Sequence, residues 1–319
     1  MDLGQWTPVA VSADAGAASI DWGDLRKVRF AEPFFHQTIE RWAGDNPPPL
    51  VRTGLSALAP LDSAPSLDPA ALIFHVSRCG STLLSRLLGA VPGTLVVSEP
   101  APLNALLLAD PAALDGHPAV EALRLMVRAL GRQRFGDERS YVLKLSSWNV
   151  THQALFRRAF PEAAVVWLMR APEDVVGSLI ADPPGWLGLR HDPAAARAAF
   201  GIGEPASDIA TFCVQIVTAL LEAASGIDGS VLFLDYADLP EAAWERAAPF
   251  IGLGLRPDDV EHMRDLARFE AKEPALRPFA APPAGRPPLP QAVRALVDER
   301  AAPLYAALRG RRSRARPRD

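Results

Sequence analysis

The chain is poor in several residues that mark particular classes of protein. Its 319 residues include two cysteines, Cys79 and Cys213. They lie far apart, which excludes a disulfide framework and favours a reducing compartment, so we expect a cytoplasmic protein. A formal net charge of −4 excludes the overall basic surface of a nucleic-acid-binding protein, and we expect no nucleic-acid partner.

Long apolar runs are also missing. A membrane-spanning helix needs about 18 consecutive apolar residues. No stretch of the chain approaches this length, and we expect no membrane span. The first residues, Met1 to Trp6, lack the basic and apolar parts of a signal peptide. Hydrophobic residues still make up 49% of the chain, enough to bury a full core, which favours one α/β domain with additions.

Lysine is scarce, and a codon bias towards arginine would account for this. The chain has only Lys27, Lys144 and Lys272, although lysine and arginine together number 33. Each lysine that remains is therefore of interest as a functional residue.

The most informative segment is residues 71–86. An apolar run predicts a buried strand over 71–76, a short polar turn follows, and an amphipathic helix begins near Thr82. A strand, a tight loop and a helix in this order bring backbone N–H groups and the positive end of a helix dipole to one point, which is an anion site. Gly80 permits close backbone approach, Ser81 adds a hydroxyl donor, and Arg78 adds a forked cation. The segment predicts a phosphate-binding loop.

Two familiar phosphate chemistries do not fit this loop. A nucleoside-triphosphate loop has Lys directly after its last Gly, whereas Ser81 follows Gly80 here. A tyrosine-phosphatase loop needs five residues between its Cys and its Arg, whereas six residues separate Cys79 from Arg86.

The run from Arg78 to Leu84, Arg-Cys-Gly-Ser-Thr-Leu-Leu, resembles the 5′-phosphosulfate loop of sulfotransferases that use 3′-phosphoadenosine 5′-phosphosulfate (PAPS). Arg in place of Lys, and Leu in place of Trp, make it more similar to the carbohydrate, tyrosylprotein and bacterial branches than to the cytosolic branch. The resemblance implies that PAPS is the co-substrate, that no metal is needed, and that Arg78, Cys79, Gly80, Ser81 and Thr82 contact it.

A second segment resembles the 3′-phosphate site of the same family. Arg170 follows an apolar strand, 164–169, and Ser178 lies eight residues later on the next predicted helix. An Arg at a strand end grips a phosphate through two hydrogen bonds while a Ser adds a neutral donor. A third likeness is the late strand that ends in Asp235-Tyr-Ala-Asp-Leu, where Ala237 replaces the usual acid.

These patterns predict a P-loop-type α/β fold, a doubly wound parallel sheet of about five strands with helices on both faces. We expect an N-terminal arm over 1–66, a sulfotransferase-like domain over 67–309, and an arginine-rich disordered tail over 310–319. The expected strands are 71–76, 94–97, 141–145, 164–169 and 230–234. Residues 183–205, rich in Pro, Gly and Ala, are expected to form a loop or lid.

The resemblance implies an in-line transfer of the sulfuryl group to a hydroxyl or amine acceptor. Arg78 is the candidate cation at the bridging oxygen, and Lys144 the candidate partner of the transferring oxygens. Ser146 stands where cytosolic members have their catalytic His, so the general base must come from elsewhere. Glu99, just past a strand end, is the candidate base, and a neighbouring sulfate is expected to raise its pKa.

Other interpretations stay open at this stage. Asp235 after an apolar strand is similar to a magnesium-binding acid, which would suit a P-loop small-molecule kinase, and a non-catalytic nucleotide-binding protein is a further alternative. His75 is expected to be a core residue, and His36 and His152 lack metal-ligand spacing. The acceptor, whether a small molecule, carbohydrate, lipid or peptide, is not specified by any motif.

Overall fold

Two sheets organise the protein, for which a computed structural model describes residues 3, 6–14, 17–114, 116–273, 275, 277–279 and 288–312. The first sheet is antiparallel and the second is parallel. The strands are β1 (Thr7–Asp14), β2 (Ala17–Gly23), β3 (Val51–Gly54), β4 (Ala71–His75), β5 (Thr94–Ser98), β6 (Ser140–Lys144), β7 (Ala164–Met169) and β8 (Val231–Asp235).

The parallel sheet has the order β5-β6-β4-β7-β8. Every residue of β4, β7 and β8 is buried, so both faces are covered, as a doubly wound sheet requires. The predicted fold class is therefore confirmed, and each of the five predicted strands agrees with an observed one to within one residue at either end.

Helices connect and cover the strands. They are α1 (Phe35–Ala43), α2 (Ser81–Gly89), α3 (Ala101–Leu108), α4 (Ala119–Leu130), α5 (Gln153–Ala159), α6 (Pro172–Ala181), α7 (Pro193–Phe200), α8 (Ile209–Ser225), α9 (Ala248–Ile251), α10 (Pro257–Leu266), α11 (Gln291–Leu296) and α12 (Ala302–Gly310). In the part of the chain that the structure describes, none of them combines the length and the apolar character needed to cross a lipid bilayer.

The segment 183–205 is not the loop that its composition predicts. A 3₁₀ turn (Gly185–His191) and α7 both lie within it. The alanines of α7 are strong helix formers, and the carboxylate of Asp192 caps the helix by accepting from the N–H of Ala195 at 3.0 Å. The glycines and prolines flank this helix, and they mark its ends.

The first 66 residues contain a small sheet that hydropathy alone did not predict. Strand β2 buries Ile20 and Trp22, and the indole N–H of Trp22 donates to Thr53 Oγ1 on β3 at 2.8 Å. Strand β1 packs against α3, and both buried side chains join the same core as the parallel sheet. The N-terminal segment 1–66 therefore shares its hydrophobic core with the α/β domain that follows it.

The predicted disordered tail falls largely outside the described residues, since 313–319 are not among them. Its first arginines are anchored. Arg311 donates to the carbonyl oxygen of Ile227 at 2.7 Å, and Arg312 forms an ion pair with Asp238. These contacts continue the packing of α12 beside α8 and β8.

We predict that Ile20→Ala destabilises the whole protein. The side chain is fully buried, so its truncation removes apolar contacts and leaves a cavity, which lowers the free energy of unfolding by about 2–5 kcal/mol. Urea denaturation measures this loss, with Leu50→Ala as control because Leu50 is 49% exposed. A loss below about 0.5 kcal/mol, the range of surface substitutions, would show that the first sheet does not belong to the core.

Candidate active site

The loop between β4 and α2 has an unusual backbone. Three of its residues have positive φ: Ser77 at 71°, Arg78 at 50° and Gly80 at 83°. This region is unfavourable for Ser and Arg, and it persists only where the surroundings hold it, which is common at ligand-binding loops. Gly80 immediately precedes α2, so the loop lies at the positive end of that helix.

No side chain fits at Gly80. A Cβ there would lie 2.9 Å from both Tyr236 Cδ2 and Leu239 Cδ1. The glycine therefore allows the loop to approach the residues that follow β8, and it leaves the backbone open to a ligand.

Cys79 contributes only its backbone to the loop. Its side chain is fully buried and its thiol donates to the carbonyl oxygen of Leu168 at 3.4 Å. Burial raises the pKa of the thiol to about 12, so it stays protonated and is no nucleophile.

Arg170 lies beside this loop, directly after β7. Its Nη1 donates to the carbonyl oxygen of Arg78 at 3.3 Å, and its Nε donates to Asp174 Oδ2 at 3.1 Å. The guanidinium also covers the ring of Tyr236 at 4.4 Å. Ser178 lies further along α6.

One cavity of about 520 Å³ joins the two predicted phosphate segments. All seven residues predicted to contact the co-substrate line it: Arg78, Cys79, Gly80, Ser81, Thr82, Arg170 and Ser178. Residues nearly a hundred positions apart in sequence thus meet because β4 and β7 are neighbours in the sheet.

Arg78 is held at the rim of this cavity. Its Nη1 lies 2.9 Å from Asp182 Oδ2, and 15% of its side chain is exposed. The Asp182 side chain is 78% exposed, so an ion pair with it is weak and can be exchanged for one with a phosphate.

The predicted catalytic pair lies behind Thr82. Lys144 ends β6 and is fully buried, and its Nζ forms an ion pair with Glu99 Oε1. The same Nζ lies 3.4 Å from Thr82 Oγ1 and 4.6 Å from the centre of the Phe34 ring. Lys144 therefore connects Glu99 with the phosphate loop.

In the protein by itself the pKa of Glu99 is lowered, and the rise expected beside a sulfate donor stays a prediction. Burial alone would raise this pKa, but the charge of Lys144 and the hydrogen bond from Lys144 outweigh that effect. Its side chain is 29% exposed, and φ is 52°. Glu99 is an ionised carboxylate at neutral pH, in contact with a cation.

His75 belongs to the interior, as expected, but it also borders the Lys144–Glu99 pair. Its Nδ1 accepts from the N–H of Ser77 at 3.0 Å, and its Nε2 donates to the carbonyl oxygen of Leu145 at 2.9 Å. The Nε2 atom also lies 3.8 Å from Glu99 Oε1. Burial and the charge of Lys144 lower the pKa of His75 to about 4, so the ring is neutral.

The remaining candidates lie elsewhere. His36 stacks on Phe34, and His152 contacts Thr151 and Trp148. Asp235 caps the turn after β8 through the N–H of Ala237 and also accepts from the Tyr305 hydroxyl. Within the described ranges, no group of three or more His, Cys, Asp or Glu is placed to hold a metal ion.

Sequence reasoning missed part of the cavity wall. Lys272 and Phe269 line the cavity from the segment that follows α10. Burial in this wall and the charge of Arg78 lower the pKa of Lys272. The scarcity of lysine was the one signal that pointed to Lys272, because its surroundings match no motif.

Neither a protein-family model nor a curated protein matches the chain. Among solved structures, sulfotransferase STF1 from Mycobacterium tuberculosis H37Rv is similar at 17% identity and a TM-score of 0.45, over 65% of this chain and 74% of that one. A sulfotransferase from Alicyclobacillus acidocaldarius is similar at 15% identity and a TM-score of 0.41, over 77% of this chain and 96% of that one. A sulfotransferase domain from the curacin biosynthetic pathway is similar at 12% identity and a TM-score of 0.38, over 73% of this chain and 98% of that one. The likeness is distant, so the functional assignment below rests on the residues of this chain.

We predict that His75 makes the stability of the protein depend on pH. Its pKa is about 4 when folded and 6.5 in the reference state, so between these values the unfolded chain binds the extra proton. The contribution of neutral His75 is complete above pH 6.5, and it decreases as the pH falls towards 4, by roughly 3 kcal/mol in all.

Replacement His75→Asn tests this, because the amide keeps an acceptor and a donor but does not titrate. Urea denaturation between pH 7 and 4 should show a smaller loss of stability in this variant than in wild type. The control is His36→Asn, which changes an exposed ring and should leave the pH dependence intact. Equal pH dependence in all three proteins would contradict the prediction.

Proposed function

We propose that the protein is a PAPS-dependent sulfotransferase that transfers a sulfuryl group to a hydroxyl or amine acceptor. The observation that carries this proposal is the single cavity lined by both the 78–82 loop and the Arg170–Ser178 pair, with the Lys144–Glu99 ion pair directly behind Thr82.

The arrangement suits a ligand with two separate phosphate groups. The 78–82 loop would hold the 5′-phosphosulfate through backbone N–H groups, the hydroxyls of Ser81 and Thr82, and the guanidinium of Arg78. Arg170 and Ser178 would hold the 3′-phosphate from the neighbouring strand and helix. Tyr236 beneath Arg170 fixes the orientation of that guanidinium.

In the proposed reaction the acceptor oxygen or nitrogen attacks sulfur in line with the leaving phosphate. The new bond to sulfur forms while the bond from sulfur to the bridging oxygen breaks, and the electron pair goes to the 5′-phosphate. Arg78 would stabilise the charge that develops there. The acceptor proton would go to Glu99, which the structure holds ionised.

Lys144 has two roles in this scheme. In the free protein its charge is balanced by Glu99, which keeps the carboxylate ionised. With donor in place, the anionic sulfuryl oxygens beside Thr82 would compete for the ammonium. Glu99 would then lose part of its cationic partner and become a stronger base, because a neighbouring cation lowers a carboxylate pKa.

A P-loop small-molecule kinase explains fewer observations. The lysine that a nucleoside-triphosphate loop places after its last glycine is absent at Ser81. Asp235, the candidate magnesium ligand, is already engaged by Tyr305 and by the N–H of Ala237. A non-catalytic nucleotide-binding protein would have no use for a buried Lys144–Glu99 pair, which is costly to desolvate.

We predict that adenosine 3′,5′-bisphosphate stabilises the protein far more than AMP or ATP with magnesium. A ligand present at a hundred times its dissociation constant stabilises the folded state by about 2.7 kcal/mol, which a thermal melt detects. Replacement Arg170→Ala should weaken bisphosphate binding by about 1.5–3 kcal/mol, as expected for a hydrogen bond to a charged group, while AMP binding hardly changes.

Arg158→Ala is the matched control, since Arg158 is exposed on α5. If the bisphosphate and AMP lose affinity equally in Arg170→Ala, Arg170 is structural and the 3′-phosphate assignment fails. If ATP with magnesium stabilises the protein as strongly as the bisphosphate does, the kinase alternative is favoured.

We predict that Glu99→Gln lowers turnover by about 10²–10⁴-fold, the usual contribution of a general base, while donor affinity stays near the wild-type value. Since Gln leaves buried Lys144 without a counter-charge, a lower melting temperature is also expected. Turnover is therefore measured below that temperature, with any acceptor found by screening with the donor. Glu261→Gln changes an exposed residue of α10 and serves as the control. Near-normal turnover of a folded Glu99→Gln variant would exclude the role.

A further inference from the structure

A second cavity, of about 500 Å³, lies along the free edge of the parallel sheet. Its floor is β5, the edge strand, and its walls come from α2, from residues 29–33 and from residues 134–138. The side chains that matter here are those of Phe30, Arg86, Arg134 and Phe135.

Helix α2 separates this cavity from the candidate active site. Thr82 and Leu83, in its first turn, line the active-site cavity, whereas Ser85, Arg86 and Gly89 line the second one. A ligand in the second cavity would thus contact a different surface of the same helix.

Arg134 is the most unusual residue of the second cavity. Its Nε and Nη1 atoms are buried and have no hydrogen-bond acceptor, and its guanidinium lies 4.1 Å over the Phe30 ring. Burial lowers the pKa of Arg134 to about 10, in spite of the nearby charge of Glu138. Two buried donors without acceptors are costly, and an anionic ligand that reached the guanidinium would reduce that cost.

Arg86 adds a second cation on the opposite wall. Its Nη1 donates to the carbonyl oxygen of Glu270 at 2.6 Å, which is a neutral acceptor, and desolvation lowers its pKa. None of the carboxylates in the described part of the chain forms an ion pair with Arg86 or Arg134.

Two of the three acidic residues that line the cavity form ion pairs with arginines, and the third, Glu138, keeps its charge but is bonded to the backbone. Glu138 accepts from the backbone N–H groups of Arg134, Phe135 and Gly136 at 3.0–3.2 Å. Asp137 pairs with Arg29 at 2.8 Å, and Glu32 pairs with Arg41 outside the cavity. The charge left for a ligand is therefore positive.

Aromatic rings supply an apolar surface next to these cations. Phe30 packs under Arg134, and Phe135, 37% exposed, packs under Arg29 at 4.0 Å. The volume is within the range of small-ligand pockets, which are largely apolar with a few fixed polar groups.

We propose that the second cavity binds a small organic carboxylate with an aromatic or apolar body, and that Arg134 and Arg86 are its cationic contacts. The forked guanidinium matches a planar carboxylate with two parallel hydrogen bonds. A phosphate fits less well, because none of the described helices begins at this cavity and its hydroxyl residues, Ser85, Thr94 and Ser98, are spread over α2 and β5 and not grouped at a helix start as Ser81 and Thr82 are.

The test uses benzoate as probe, with acetate and benzyl alcohol as partial probes that lack the ring or the charge. Ligand-observed NMR titration of the 319-residue chain should give saturable benzoate binding that weakens with salt, and much weaker binding of both partial probes. Arg134→Met should raise the benzoate dissociation constant at least tenfold, and Arg86→Met should raise it as well. Arg158→Met, an exposed control, should not.

A thermal melt distinguishes a binding role from a structural one. If Arg134 serves a ligand, the free Arg134→Met variant melts at or above the wild-type temperature, because two buried donors without acceptors have been removed. Benzoate then stabilises wild type but not the variant. A variant that melts lower yet keeps the benzoate shift would overturn the proposal, as would absence of benzoate binding or a preference for inorganic phosphate that depends on Arg134. None of these outcomes depends on sulfuryl transfer.

Discussion

The ion pair between Lys144 and Glu99 is the interaction on which the rest of the site depends. Lys144 has no solvent contact, so its charge needs a partner within the protein. Glu99 supplies that partner from the end of the adjacent strand, and its N–H donates to the Lys144 carbonyl oxygen at 2.7 Å. The pair therefore fixes the carboxyl ends of β5 and β6 against each other, and through Thr82 it fixes the start of α2 as well.

This constraint accounts for where the backbone departs from favourable geometry. Among the non-glycine residues that the structure describes, the positive φ values are at Ser77, Arg78 and Glu99, and all three follow the carboxyl ends of β4 or β5, the two strands on either side of the strand that carries Lys144. Such conformations cost about 1–3 kcal/mol each. Hydrogen bonds hold them: Ser77 donates to His75, and the Arg78 carbonyl accepts from Arg170. The costly geometry is concentrated where open α/β sheets bind ligands.

The parallel sheet could be predicted from sequence because its strands are buried on both faces and appear as uninterrupted apolar runs. The first sheet was not predicted, although β2 alternates buried and half-buried residues, because this span is short and its partner β3 lies beyond α1. Helix α7 was missed because flanking prolines and glycines dominated the composition of 183–205. The two phosphate-binding segments could be predicted because each is a local run of strand, turn and helix in the sequence. The lowered pKa of Glu99 could not, because it depends on the contact with Lys144.

The C-terminal residues engage the carboxylate that the alternative function, a magnesium-dependent kinase, would use. Asp235 ends β8 at the same edge of the sheet as the phosphate loop, where an acid would suit a metal ion. The Tyr305 hydroxyl donates to one oxygen of the Asp235 carboxylate, and the backbone N–H of Ala237 donates to the other. Packing of α12 thus depends on the carboxylate that a magnesium-dependent enzyme would need free. In the proposed sulfuryl transfer, the cations around the active-site cavity, Arg78, Arg170 and Lys272, with Lys144 behind Thr82, would provide the electrostatic stabilisation that a metal ion supplies elsewhere.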